Sequence, residues 1–290
     1  MAPVYRDFDQ AELDRQYNAR ATVDDIWPIM DQYRRFTEEA RAAVPCGLGL
    51  RYGPTEPERL DVYRAKAGAE PAPVLVYIHG GYWRLLDAAD SGFMAPMLSA
   101  QGAVTVAVNY TLRPSASLTE MVRQCRAAIA WIHANIARFG GDPDRIHVSG
   151  SSAGGHLGGM LAAEGWQEAF GLPPDVIKGA ALLSGLYDLE PVRLSFVNDW
   201  AGLTEAEAAD ISPIHRLPRP GMPAVLAVAP SETDEFKRQT ALYGEALAVR
   251  GNPVAHVDVP NSNHFDIVLS MMDSATPLSA AILRMMGLSA

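Results

Sequence analysis

The amino-acid sequence predicts an α/β fold: a mostly parallel central sheet with helices on both faces and a small cap or lid. Three observations carry this. Short continuous apolar runs bounded by glycine and proline recur along the chain, as they do in strands buried on both faces. A stretch with helical spacing lies between two of them, and one long connection interrupts the alternation. The 290 residues suffice for one large core, so a single domain over 1–290 is expected. With 48% hydrophobic and 20% charged residues, the composition excludes a disordered or fibrous chain.

Residues 10–43 place Ile26, Met30, Tyr33, Phe36 and Ala40, with Val44 just beyond, at helical intervals around Pro28. This predicts one or two amphipathic helices, an N-terminal extension over about 1–45. RLDVYRA (59–65) alternates like a half-exposed strand. The buried-strand candidates follow: PVLVYIH (73–79), AVTVAV (103–108), RIHVSG (145–150), KGAALLSG (178–185), MPAVLAVA (222–229) and VAHVDV (254–259). Over 117–138, Leu118, Met121, Val122, Cys125, Ile129, Ile132 and Ile136 form one apolar helical stripe. FGGDPDRI then ends that helix on glycine and turns on Asp-Pro into the next strand. Residues 186–221 do not fit the alternation. They hold a helical candidate, TEAEAAD, followed by SPIHRLPRPG, and a connection of this length predicts a cap or lid insert.

A net charge of -10 without any Lys/Arg run argues against nucleic acid and anionic membrane surfaces as partners. Cys46 and Cys125 are too few for a disulfide framework or a zinc site, and no H-E-x-x-H spacing occurs. Neither a metal nor a cofactor is expected. MAPVYRDFDQAELD lacks the basic start and apolar core of a signal peptide, and no window reaches the roughly 18 apolar residues of a membrane span. A cytoplasmic location is the expectation.

The chemistry concentrates in HVSGSSAGGH (147–156), where Gly150, Ser152 and Gly154 make a G-x-S-x-G pattern between a predicted strand and a predicted helix. The pattern puts its serine on a tight strand-to-helix turn whose flanking residues must be small. Ser151 is a rival nucleophile, but Ser149 and Ala153 flank it at that spacing. Four glycines in AGGHLGGMLAA cost that helix about 1 kcal/mol each against alanine, which implies close packing on the sheet. They also leave its N-terminus facing a developing negative charge.

A serine hydroxyl needs a base to take its proton and a carboxylate to orient that base. In a doubly wound sheet these partners fall on loops after later strands. Glu232 and Asp234 follow MPAVLAVAP, and His264 follows VAHVDVP. Of the seven histidines, His133 falls inside a helix, His147 and His256 inside strands, and His215 in the Pro-rich connector; only His264 occupies a loop after the last strand, which makes it the candidate base. In VYIHGGYW (76–83) a buried strand breaks at two glycines. The amides of Gly81 and Tyr82, with that of Ala153 after the nucleophile, would receive the oxyanion, while His79 and Gly80 shape the turn.

Together HGGYW, FGGDPDRIHVSGSSAGGHL, SGLYDLEP, DEFKRQ and NHFDIV, spanning about 74–268, resemble the α/β-hydrolase superfamily. The branch is that of the hormone-sensitive-lipase-like esterases, and more narrowly the kynurenine-formamidase (arylformamidase)-like group, which carries HGGYW in place of HGGG. That group often has histidine before its nucleophile, where this chain has Ser151. Its acid lies a few residues before an E-F-x-R-Q-like run, which points to Glu232 over Asp234. The resemblance implies a metal-free serine hydrolase that cleaves a small carboxylic ester or N-formyl amide through an acyl- or formyl-enzyme. Trp83 and His156 are expected to line the pocket with the 186–221 insert and the N-terminal helices. The alternatives are a carbamate or lactone hydrolase or an acyltransferase on the same residues, and a non-catalytic binding protein on this fold. An intact serine, acid and histidine argue against the last, and homo-oligomerisation stays open.

Overall fold

Apolar runs too short for helices and buried on both sides pair into one sheet. A computed structural model describes residues 3–289. Its eight strands are β1 (Cys46–Arg51), β2 (Arg59–Tyr63), β3 (Ala72–Ile78), β4 (Val104–Val108), β5 (Gly141–Ser151), β6 (Ile177–Leu183), β7 (Ala224–Ala227) and β8 (Val254–His256). They lie in the order β1-β2-β4-β3-β5-β6-β7-β8. The β1–β2 and β2–β4 pairs are antiparallel, and every later pair is parallel. All seven residues of β3 are buried. Val74, Val76 and Ile78 enter one core while Leu75 and Tyr77 enter the other, so the strand's period of two feeds both faces.

The helices are α1 (Gln10–Tyr17), α2 (Trp27–Ala43), α3 (Ala95–Ala100), α4 (Leu118–Asn135), α5 (Ala153–Ala162), α6 (Glu190–Leu194), α7 (Asn198–Ala201), α8 (Glu205–Asp210), α9 (Asp234–Val249) and α10 (Pro277–Met285). The predicted stripe of α4, with Leu157 and Met160 of α5 and Phe236 and Tyr243 of α9, packs into the first core. Tyr33 of α2, Leu98 of α3 and Ile282 of α10 pack into the second. Ser117 caps α4 by accepting from the Glu120 amide at 3.1 Å. Pro28 sits in the first turn of α2, where its missing N–H costs nothing, so it opens that helix instead of interrupting it.

Several expectations change. Strand β1 was not foreseen, because the glycines of CGLGLR break its apolar pattern. Strand β8 is a largely exposed edge strand of three residues, shorter than VAHVDV suggested and not buried on both faces. Gly140 ends the helical stretch with φ +84° as expected. The Asp-Pro turn, however, is absorbed into β5 as an irregularity, between the pairs Ala72–Gly141 and Val74–Ile146. In the 186–221 segment, TEAEAAD forms α8, closed by a reciprocal Thr204–Glu207 capping box. No single helix among the described residues is long and apolar enough to cross a membrane.

Candidate active site

The turn from β5 into α5 holds Ser152 at φ +57°, ψ -121°, a backbone region that non-glycine residues occupy only when their surroundings over-determine it. The surroundings here are tight. A Cβ on Gly150 would lie 2.3 Å from the Gly154 carbonyl oxygen, and one on Gly154 would lie 2.0 Å from that of Ile78. Both G-x-S-x-G glycines are therefore required by close approach of backbone to backbone. The Ser152 amide is anchored on the Leu183 carbonyl at 2.9 Å.

From this turn a chain of hydrogen bonds runs through three loops. The Ser152 hydroxyl meets His264 Nε2 at 3.0 Å, and His264 Nδ1 meets Glu232 Oε2 at 2.6 Å. With Nδ1–H donating to the carboxylate, Nε2 is left to accept from the serine. All three side chains are buried. Glu232 Oε1 accepts from the Ser184 hydroxyl at 2.5 Å and the Ala229 amide at 2.7 Å, so three donors hold the carboxylate. The rings of Phe236 and Phe265 flank His264, with centroids 4.7 and 5.2 Å away. The histidine loop is pinned by Asp266, which accepts from the Asn263 amide at 2.7 Å, and by the Tyr33 hydroxyl, which donates to the Phe265 carbonyl. Asp234 is the first residue of α9 and faces solvent, and no hydrogen bond joins it or Ser151 to His264.

Beside the serine, Gly81 (φ +91°), Tyr82 (φ +48°) and Trp83 (φ +60°) turn the chain through three successive left-handed residues. Among the described residues neither the Gly81 nor the Tyr82 amide donates within the protein. Ala153 opens α5, where first-turn amides lack helical acceptors. The expected oxyanion donors are thus unspent. His79 shapes the turn as its neighbours predicted: its Nδ1 meets the Gly80 carbonyl at 3.0 Å, its ring stacks on Tyr110 at 4.3 Å, and burial lowers its pKa.

Trp83 and His156 correct the sequence reading. Neither lines the cavity, and both are fully buried. Trp83 Nε1 donates to His156 Nδ1 at 3.3 Å, and His156 Nε2–H donates to the Ile211 carbonyl at 2.8 Å. Burial pushes the His156 pKa down to about 4, so the ring is a neutral bridge between the glycine turn, α5 and the insert. Successive residues of the turn face opposite ways: Tyr82 reaches the cavity and Trp83 the core.

The cavity, of about 200 Å³, is lined by both Ser152 and His264. Its walls come from the N-terminal helices (Ile26, Met30, Tyr33), from Tyr82 and Phe93, and from the insert (Phe196, Trp200). Arg84 rests on the Trp200 ring, 3.8 Å from its centroid. Ser184 and Ala229 escaped the sequence reading. The one local signal was that Ala229 lies three residues before Glu232, the span of a turn, and the Glu232 amide does close on the Ala229 carbonyl at 3.1 Å. Among the described residues no three His, Cys, Asp or Glu side chains cluster as metal ligands.

The sheet order, the helices on both faces and the strand–serine–helix turn define an α/β hydrolase. The chain belongs to the BD-FAE family, whose model matches residues 60–239. It is 34% identical to the kynurenine formamidase of Salmo salar, over 98% of this chain and 99% of that protein. It is 31% identical to esterase LipC of Mycobacterium tuberculosis, over 82% of this chain and 62% of that one. Among solved structures, one from Silicibacter sp., provisionally described as a thioesterase, superposes with a TM-score of 0.81 at 24% identity, covering 93% of this chain and 98% of its own. The resemblance read from the motifs therefore holds across nearly the whole chain.

Proposed function

We propose that this protein is a serine hydrolase that cleaves a small carboxylic ester or N-formyl amide through an acyl- or formyl-enzyme. The Ser152–His264–Glu232 chain, with contacts of 3.0 and 2.6 Å, carries the reading. The Ser152 Oγ attacks the carbonyl carbon as its proton passes to His264 Nε2, and Glu232 stabilises the imidazolium. The amides of Gly81, Tyr82 and Ala153 receive the oxyanion, each such donor being worth about 2.7–4 kcal/mol of barrier. His264 then protonates the leaving alcohol or amine, which departs as the carbonyl re-forms. Water, deprotonated by the same nitrogen, attacks the acyl-serine and releases the carboxylic acid, formic acid where the acyl group is formyl.

A small apolar-walled cavity suits a compact acyl group and an aromatic or short leaving group. The kynurenine formamidase of Salmo salar and esterase LipC support the two branches of the substrate class. The chain is read as one domain in which 1–45 and 186–221 together cap the site, supported by Ile26, Met30, Phe196 and Trp200 on the cavity wall. The branches separate on comparing kcat/KM for N-formylkynurenine and p-nitrophenyl acetate. Turnover of both is expected, and no cleavage of the formamide would remove the formamidase branch.

A further inference from the structure

Tyr82 is held at both ends by elements outside the sheet. Its hydroxyl donates to the Tyr17 carbonyl at the end of α1, at 2.6 Å, and its own carbonyl accepts from Trp200 Nε1 in α7, at 3.2 Å. Tyr17 and its neighbour Gln16, the last two residues of α1, also grip the chain just after Glu232. The Thr233 hydroxyl donates to the Gln16 carbonyl at 2.6 Å, and the Glu235 amide donates to Gln16 Oε1 at 3.1 Å. The Tyr17 hydroxyl donates to Glu235 Oε2 at 2.9 Å and accepts from Gln239 Nε2 at 2.8 Å. Gln16, Tyr17, Glu235 and Gln239 are all buried.

We infer that Gln16–Tyr17 is a positioning strut that fixes the Tyr82 amide relative to the Glu232–His264 pair. This rests on the serine-hydrolase reading above. Non-glycine residues hold a left-handed backbone only where their surroundings impose it, so the turn at Tyr82 and Trp83 relaxes unless something outside it holds it. Oxyanion donors act only when they stand about 2.7–3.1 Å from the developing charge, and a displacement of about 1 Å costs on the order of a hundredfold in rate. The acid and the donor sit on loops far apart in sequence, and one dipeptide touches both. An extension that served only to cover the core would bury the apolar faces of Leu13 and Tyr17 without needing a hydrogen bond to each catalytic loop.

The two arms have different readouts. Tyr82→Phe keeps the ring and removes the hydroxyl. With p-nitrophenyl acetate it is expected to lower kcat about tenfold, with KM within about twofold, the melting temperature near wild type and the pH profile unmoved. Thr233→Val loosens the acid arm and is expected to shift the acidic limb of the kcat/KM profile, because the Glu232–His264 pairing changes. A folded Tyr82→Phe enzyme with kcat within about twofold of wild type overturns the strut, as does a Thr233→Val profile that coincides with wild type. If Tyr82→Phe does not fold, the Thr233→Val profile decides alone. Ser152→Ala in the same series keeps the failures apart: retained turnover there sinks the hydrolase reading itself, whereas a dead Ser152→Ala beside a full-speed Tyr82→Phe sinks only the strut.

Discussion

Replacing Glu232 by glutamine exchanges one carboxylate oxygen for an amide nitrogen and should nearly abolish turnover. The carboxylate accepts from His264 Nδ1 on one oxygen and from Ser184 and Ala229 on the other. In Glu232→Gln the amide oxygen keeps the Ser184 and Ala229 donors, because the amide nitrogen could not accept from the Ala229 N–H. The nitrogen must then face His264, where N–H meets N–H. The imidazole escapes by moving its proton to Nε2, so that Nδ1 accepts from the glutamine and Nε2 donates to Ser152 in place of accepting from it. The base is lost although the shape is kept. The equivalent tautomer swap in a serine protease lowers kcat about 10⁴-fold, roughly 5.4 kcal/mol of barrier. Steady-state hydrolysis of p-nitrophenyl acetate, with a melting curve to establish folding, measures the effect. Asp234→Asn is the control: the side chain is exposed at the start of α9, and kcat should stay within about twofold. A folded Glu232→Gln enzyme with more than about a tenth of wild-type kcat, or a collapse in Asp234→Asn, would refute the reasoning.

Ser184→Ala removes one charge-assisted donor from Glu232, worth about 1.5 kcal/mol, so kcat should fall about tenfold; an unchanged kcat would show that Ala229 alone holds the carboxylate. Gly154→Ala drives a methyl into the Ile78 carbonyl and should destabilise by on the order of 3 kcal/mol or more, read by urea denaturation; a loss under about 0.5 kcal/mol would mean the turn can open. Burial pushes His147 and His156 down to about 4 from 6.5. The unfolded chain therefore takes up protons first, and stability that is full above about pH 6.5 falls as the pH drops toward 4. Urea midpoints at neutral and mildly acidic pH should decline across this window, and a flat profile would contradict it.

The tight turn at Ser152 was legible because its constraint is local: two glycines, a serine and a change of period sit within five residues. His264 stood out as the one histidine on a loop after the last strand. The acid was open on residue type alone, because Glu232 and Asp234 both follow β7 two positions apart. What separates them is that Glu232 turns back onto the Ala229 carbonyl while Asp234 starts α9 facing outward. Trp83 was misjudged because sequence adjacency to the turn carries no information on which way a left-handed pair points its side chains. Ser184, Tyr17 and Trp200 act on the site from long range, so no window of sequence reveals them. Strand β1 was hidden by its glycines, and β8 misread because an edge and a central strand share the same apolar composition.

Mass spectrometry after treatment with a fluorophosphonate tests the serine's role most directly. A single adduct on the peptide carrying Ser152 is expected, slowed strongly by His264→Ala and absent, together with all turnover, in Ser152→Ala. Label on another residue, or hydrolysis that survives loss of the Ser152 hydroxyl, would contradict the account.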